Sequence, residues 1–140
     1  MTGASDESAV NAWLALDRLH CLVASAVSDA LAVHDSVCAE ELALLQLLRE
    51  AHDGRMRMSE LADAARTTNS RATRLVDRLE VRGHVAREAC GDDRRVVFAR
   101  LTEEGRRALT EIDAALAPVI HEALASVTAR QWATELSSTP

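Results

Sequence analysis

Apolar residues recur along this 140-residue chain with a helical period at both ends, and with a two-residue period in one short stretch between. From about Ala9 to Val33 there is no glycine or proline. Leu16, Leu19, Val23, Val27 and Leu31 return every three or four residues there, which predicts one long helix. Val10, Trp13 and Leu14 add a second apolar sector beyond what one core face uses, so this helix is expected to bury part of itself against a partner subunit. Residues 1–8 are small and polar and are expected to fray. After a break at His34-Asp35-Ser36, Leu42, Leu45, Leu47 and Leu48 predict a second helix over 39–51, ending before Asp53-Gly54.

Two short helices are expected next. Ser59 is placed to cap the first, which runs to about Ala65; Thr68 is placed to cap the second, which ends at Gly83, the residue type best suited to a left-handed cap. Two strands follow, Val85–Ala89 and Val96–Leu101, joined through Gly91-Asp92-Asp93-Arg94. In the second, Val97, Ala99 and Leu101 alternate with Val96, Phe98 and Arg100, giving one face to a core and one to solvent. Thr102 starts a fifth helix, with Glu103 and Glu104 near its positive end. Its apolar stripe is Leu109, Ile112, Leu116, Val119, Ile120 and Leu124. Pro118 removes one helical hydrogen bond, so a kink or break is expected there, with a short last helix over 129–136 carrying Trp132.

Charge sharpens this picture. The net charge is −6, an unpromising value for a nucleic-acid binder until it is divided along the chain. Residues 55–107 hold 13 arginines against 9 acids, and the rest holds 3 against 13, so positive charge gathers where the short helices and the hairpin lie. There is no lysine; arginine's planar fork suits phosphate and guanine. No apolar run approaches the roughly 18–20 residues of a membrane span. The start MTGASDESAV lacks the basic and apolar regions of an export signal, so a cytoplasmic protein is expected. Cys21, Cys38 and Cys90 show neither CxxC spacing nor an even count, which predicts free thiols.

The helix over 69–82 joins periodicity to chemistry. Ala72, Leu75, Val76 and Leu79 fall on one side, while Ser70, Arg71, Arg74, Asp77 and Arg78 fall on the other with Thr73 at the margin. A helix that docks its apolar face leaves the arginine-bearing face outward, where it fits a major groove and can address base edges and phosphates. Thr68, Asn69, Ser70, Arg71, Thr73, Arg74 and Arg78 are therefore the candidate contacts of this helix. At the hairpin tip, GDDRR, a basic side chain on a narrow ribbon can enter the minor groove, with neighbouring acids orienting it.

The segment SELADAARTTNSRATRLVDRLEVRGHVAR, followed by DDRRVVFARLTEEG, resembles the signature of the MarR family of bacterial transcription regulators. Its most specific parts are TRLVDRLEVRGHVAR, the Asp93-Arg94-Arg95 tip and LTEEG. The resemblance implies a mainly α, winged helix-turn-helix fold (α+β in its DNA-binding lobe) in a single domain over 1–140. The winged helix-turn-helix would occupy about 39–101, and helices over 9–34 and 102–137 would form an all-helical dimerisation lobe. Arg95 matches the family's minor-groove wing arginine, Asp93 its acidic companion, and Arg94 the variable place between them. Arg66 and Thr67 depart from the usual Gly-like and apolar turn residues, and Ala72 is smaller than the usual valine. The implied function is a homodimeric repressor on double-stranded DNA, reading a near-palindrome with half-sites about 34–36 Å apart.

The resemblance also implies release by a small aromatic or phenolic effector, for which Trp13, His20 and His52 are candidate wall residues. Cys21 and Cys38 are the candidates for a thiol-redox-responsive regulator of the same fold. A degenerate winged helix that binds protein rather than DNA is the reading from another class. His34, Cys38, Glu41, His121 and Glu122 lack any HxxxH, HExxH or CxxC spacing, so no metal and no cofactor is expected. Without a Gly-rich phosphate loop, a GxSxG elbow or a nucleophile–base pair, no enzyme activity is expected either.

Overall fold

The structure is a computed structural model that describes the backbone of residues 3–33 and 37–137 and the side chains of 6–33 and 37–127. Its elements in chain order are α1 (Gly3–Val33), α2 (Ala39–Glu50), a single 3-10 turn (His52–Gly54), β1 (Arg55–Arg57), α3 (Met58–Ala64), α4 (Asn69–Val81), β2 (Val85–Ala89), β3 (Val97–Leu101) and α5 (Glu103–Ser137). The described residues fall into two compact units. One is α1 with α5 from Ala115 onward, and the other runs from α2 to Ala114. Among them no helix is long and apolar enough to cross a membrane.

The second unit holds a three-helix core closed by a small antiparallel sheet of order β1-β3-β2. Leu44, Leu45 and Leu48 of α2, Leu61 of α3, and Ala72, Leu75, Val76 and Leu79 of α4 are buried. Val85, Ala99 and Leu101 cover this core from the sheet, and Leu109 and Ile112 from the start of α5. The hairpin register pairs Val85 with Leu101, Arg87 with Ala99 and Ala89 with Val97. Strand β1, Arg-Met-Arg, pairs Arg55 with Arg100 and Arg57 with Phe98, and sequence reading did not foresee it. Arg-Met-Arg alternates in burial, but three residues are too short a run to mark a strand; the free edge of β3 makes them one.

The turns explain why the elements stop where they do. Thr68 caps α4, its hydroxyl accepting from the Arg71 N–H at 3.2 Å. At the other end the N–H of Gly83 bonds to the Glu80 carbonyl and that of His84 to the Leu79 carbonyl, with Gly83 at φ +77°. This is a Schellman closure. Between α3 and α4, Arg66 takes φ +52°, the position where the family resemblance led us to expect a Gly-like residue. Thr102 caps α5, accepting from the Gly105 N–H at 3.0 Å and donating to the Gly83 carbonyl at 2.6 Å.

Four expectations are corrected. Helix α1 starts at Gly3 rather than near Ala9, because Ala, Ser and Glu sustain a helix and Asp6 in its first turn complements the positive N-terminus. Ser59 does not cap α3. Arg57 holds the cap position with extended backbone at the end of β1, and Glu60 accepts from its N–H at 3.4 Å. Helix α5 runs unbroken through Pro118 to Ser137, so there is no separate last helix. One lost hydrogen bond within a 35-residue helix is offset when Leu116 and Ala123, on either side, are buried. Leu16, expected in the core stripe of α1 with the buried Leu31, is 65% exposed. The predicted break at 34–36 and the side chain of Trp132 lie outside the described residues.

Candidate nucleic-acid interface

Helix α4 is held by its apolar face, as its periodicity predicts, and this decides what the other face can do. With Ala72, Leu75, Val76 and Leu79 buried, Asn69, Ser70, Arg71, Thr73, Arg74, Asp77 and Arg78 are all exposed, as is Thr68 before them. Arg74 makes no ion pair among the described residues, so its guanidinium is open to an incoming acceptor. Thr73 turns its hydroxyl inward to the Asn69 carbonyl at 2.8 Å.

Two adjacent carboxylates of α2 reach across to this helix. Glu41 is 1% exposed and receives Arg78 Nε on Oε1 at 2.6 Å and Arg82 Nη1 on Oε2 at 2.9 Å; Oε2 also accepts from the Cys38 N–H at 2.9 Å. Burial alone pushes this carboxyl up, but the Cys38 N–H and the two guanidinium groups outweigh it and hold the group below its ordinary range. Glu40, beside it, takes the fork of Arg71, which lowers the Glu40 carboxyl as well. Arg78, a predicted DNA contact, is thus engaged inside the protein.

The wing tip carries Asp93, Arg94 and Arg95, all exposed. Asp93 accepts from the Arg95 N–H at 3.0 Å and lies 3.5 Å from its Nε, while the Arg95 side chain stays 94% exposed. The acid therefore steers the arginine without sequestering it. Arg94 makes no ion pair among the described residues.

Between α4 and the wing lies an open cleft of about 470 Å³, lined by Arg57, Met58, Ser59, Asn69, Thr73, Arg87, Arg95, Val96 and Val97. Three arginines and no carboxylate line it; Arg87 is held by Glu80 and Asp77, so Arg95, with its side chain almost fully exposed, is the cation most open to an incoming phosphate. Arg57, Ser59 and Arg87 were missed in the sequence. Only the pairing of β1 and β2 with β3 brings them beside α4, and the basic Arg-Met-Arg run was the one available signal. At the root of the wing, Arg55 and Arg57 stack over Phe98 at 4.9 and 5.9 Å, and Glu88 accepts from Arg100, which holds the Glu88 carboxyl below its usual range.

The remaining candidates are scattered. Trp13, 62% exposed, and exposed His20 lie on α1, while His52 belongs to the other unit with its side chain 95% exposed. None of the three lines the cleft. Cys21 is exposed on α1, beside a groove between α1 and α5. Cys38, also exposed, precedes α2 with its Sγ 3.6 Å from Arg78 Nη2. Cys90, which sequence reading passed over, has its thiol pulled down by the N–H groups of Asp92 and Asp93 in the wing turn. Among the described residues no three metal-ligating side chains gather.

Comparison with known proteins agrees with this geometry. The sequence profile of the MarR family matches residues 39–97. The transcriptional repressor MprA of Escherichia coli K12 is 41% identical over 54 residues, 39% of this chain and 31% of that repressor's length. Among solved structures, AbsC, a MarR family transcriptional regulator from Streptomyces coelicolor, is similar over 97% of this chain and 88% of its own, with a TM-score of 0.75 and 27% identity. Sco3205 of the same organism, a MarR family transcriptional regulator solved in complex with DNA, is similar over 100% and 91%, with a TM-score of 0.73 and 26% identity.

Proposed function

We propose that this chain is a transcriptional regulator of the MarR family that binds duplex DNA as a homodimer and represses transcription from a near-palindromic operator. The observation that carries this reading is the two-pronged basic surface of one compact unit. Helix α4 offers Arg74 and Arg71 from a face that packing forces outward, and the wing offers Arg95 beside it, across a cleft whose ionic lining is wholly basic. Thr68, Asn69, Ser70 and Thr73 would contact bases or backbone in the major groove, and Asp93, Arg94 and Arg95 would follow the backbone into the minor groove. The DNA-bound form of Sco3205 supports the choice of partner.

Dimerisation through the terminal helices is supported by the apolar surface that α1 leaves exposed at Val10, Trp13 and Leu16. A twofold would place two copies of α4 about 34–36 Å apart on one face of the duplex. Release by a small aromatic or phenolic effector completes the reading. The protein-interaction alternative is disfavoured, since a module freed from DNA gains nothing from exposed arginines at 74 and 94 that make no ion pair among the described residues.

Fluorescence anisotropy with duplex from the gene's own upstream region, against scrambled duplex at two salt concentrations, tests the proposal. Tight binding confined to the native duplex is expected, with a dimer in sedimentation analysis. Absence of binding to either duplex at low salt would overturn it.

A further inference from the structure

The adjacent carboxylates at the start of α2 divide the arginines of α4 into two kinds. Glu41 is buried, and both its oxygens are filled by Arg78, Arg82 and the Cys38 N–H. Releasing it would strand a charge out of water, so Arg78 and Arg82 are fixed. Glu40 is half-exposed and meets Arg71 as a fork, with Nε on Oε2 at 3.0 Å and Nη2 on Oε1 at 2.7 Å. The Nε–Nη2 edge that Glu40 occupies is one of the two edges of a guanidinium that can pair with guanine O6 and N7, or with two oxygens of a phosphate. In the free protein Arg71 therefore stands on the outward face of α4 with an internal substitute for a DNA acceptor already in its fork.

We propose that Glu40 is a specificity-determining residue that competes with DNA for Arg71. The proposal rests on the DNA-binding reading above and extends it. An exposed ion pair is weak, so the exchange is cheap when an acceptor fills both donors. A phosphate, whether it meets one donor or both, leaves the displaced carboxylate close to a like charge, whereas the guanine edge is neutral. Glu40 thus penalises loose backbone contact by Arg71 more than a matched base contact. It acts by discouraging the wrong complex rather than by strengthening the right one. Glu41, one residue along, is the internal contrast, because its carboxylate is not exchangeable.

The test compares Glu40→Gln with wild type on an operator selected from random duplexes by the wild-type protein, and on scrambled duplex, across a salt series. Glu40→Gln is expected to tighten binding to scrambled DNA, lower the ratio of operator to scrambled affinity by about tenfold, and steepen the salt slope by about 0.9. The melting temperature is expected to stay unchanged. In an Arg71→Ala background the same substitution is expected to change neither ratio nor slope, which a merely structural Glu40 would not produce. An unaltered ratio, or a parallel loss on both duplexes, overturns the proposal while leaving DNA binding intact. Failure of the wild type to select or bind any duplex overturns the DNA-binding reading, and this proposal with it.

Discussion

Arg87 of β2 donates from Nη1 to Glu80 of α4 at 2.6 Å, and its Nη2 reaches the Thr73 carbonyl at 3.2 Å and Asp77 at 2.7 Å. One guanidinium thereby ties the root of the wing to the middle of the helix proposed to enter the major groove. The distance between two groove-reading elements is a property the duplex itself dictates, so a rigid link between them favours binding. Arg87→Ala is expected to cost about 1–2 kcal/mol of stability and to weaken operator binding by about tenfold or more. Chemical denaturation, anisotropy titration and faster amide exchange across 85–101 check it.

Truncation of the wing arginine has a different signature. Arg95 is almost fully exposed and, among the described residues, held only by Asp93, so Arg95→Ala leaves stability within about 0.5 kcal/mol. It is expected to weaken binding to all sequences alike and to reduce the salt slope by about one. Parallel salt series on operator and scrambled duplex read both effects.

Arg74 faces outward on α4 with no ion pair among the described residues, so its substitution costs the fold little. Arg74→Ala is expected to relax preference at one base position per half-site by about 1–3 kcal/mol. Binding selection on a randomised half-site would show that position becoming degenerate; unchanged preference would remove Arg74 from direct readout.

Glu41 couples the fold to acid. Its carboxyl binds a proton less readily when folded than when unfolded, because the Cys38 N–H, Arg78 and Arg82 outweigh the penalty of burial. The resulting stability is fully present above the unfolded value of 4.5 and is lost as pH falls below it through the folded-state value. Glu41→Gln is expected to cost about 1.5–3 kcal/mol at neutral pH, and the two proteins are expected to converge as the pH falls through the lowered folded-state value. Urea melts from pH 7 to pH 3 check the sign as well as the size.

Gly105 is needed for space rather than for conformational freedom. A Cβ there would lie 2.2 Å from the His84 carbonyl oxygen and 2.7 Å from Leu101 Cδ1. The first of these is backbone, so no rotamer change relieves the clash. Gly105→Ala is expected to destabilise by about 1–3 kcal/mol or more by prising the start of α5 from the root of β2. Thermal unfolding measures the loss, and it is expected to exceed that of Gly91→Ala, where a Cβ would meet nothing within 4 Å.

The elements most legible in the sequence were those whose signals are local. The buried face of α4 follows from the spacing of Ala72, Leu75, Val76 and Leu79, because a 3.6-residue repeat allows only one docking stripe. Thr68 and Gly83 marked its ends through hydrogen bonds made within a few residues, and β2 was predicted to the residue. Helix α5 was misread at Pro118 because the cost of one missing bond is local, whereas the packing that offsets it is not.

What the chain order alone determined is therefore which side chains α4 must turn outward, where it begins and ends, and that a basic hairpin follows. Local sterics, capping and periodicity suffice for each of these. Tertiary structure alone decided that Arg-Met-Arg becomes a strand, that Arg57 and Arg87 join Arg95 along one cleft, and that Glu40 and Glu41 reach Arg71, Arg78 and Arg82. Those partners lie 31 to 41 residues apart. An arginine's freedom to meet DNA depends on which carboxylate the fold brings beside it, and no short-range pattern in a sequence encodes that choice.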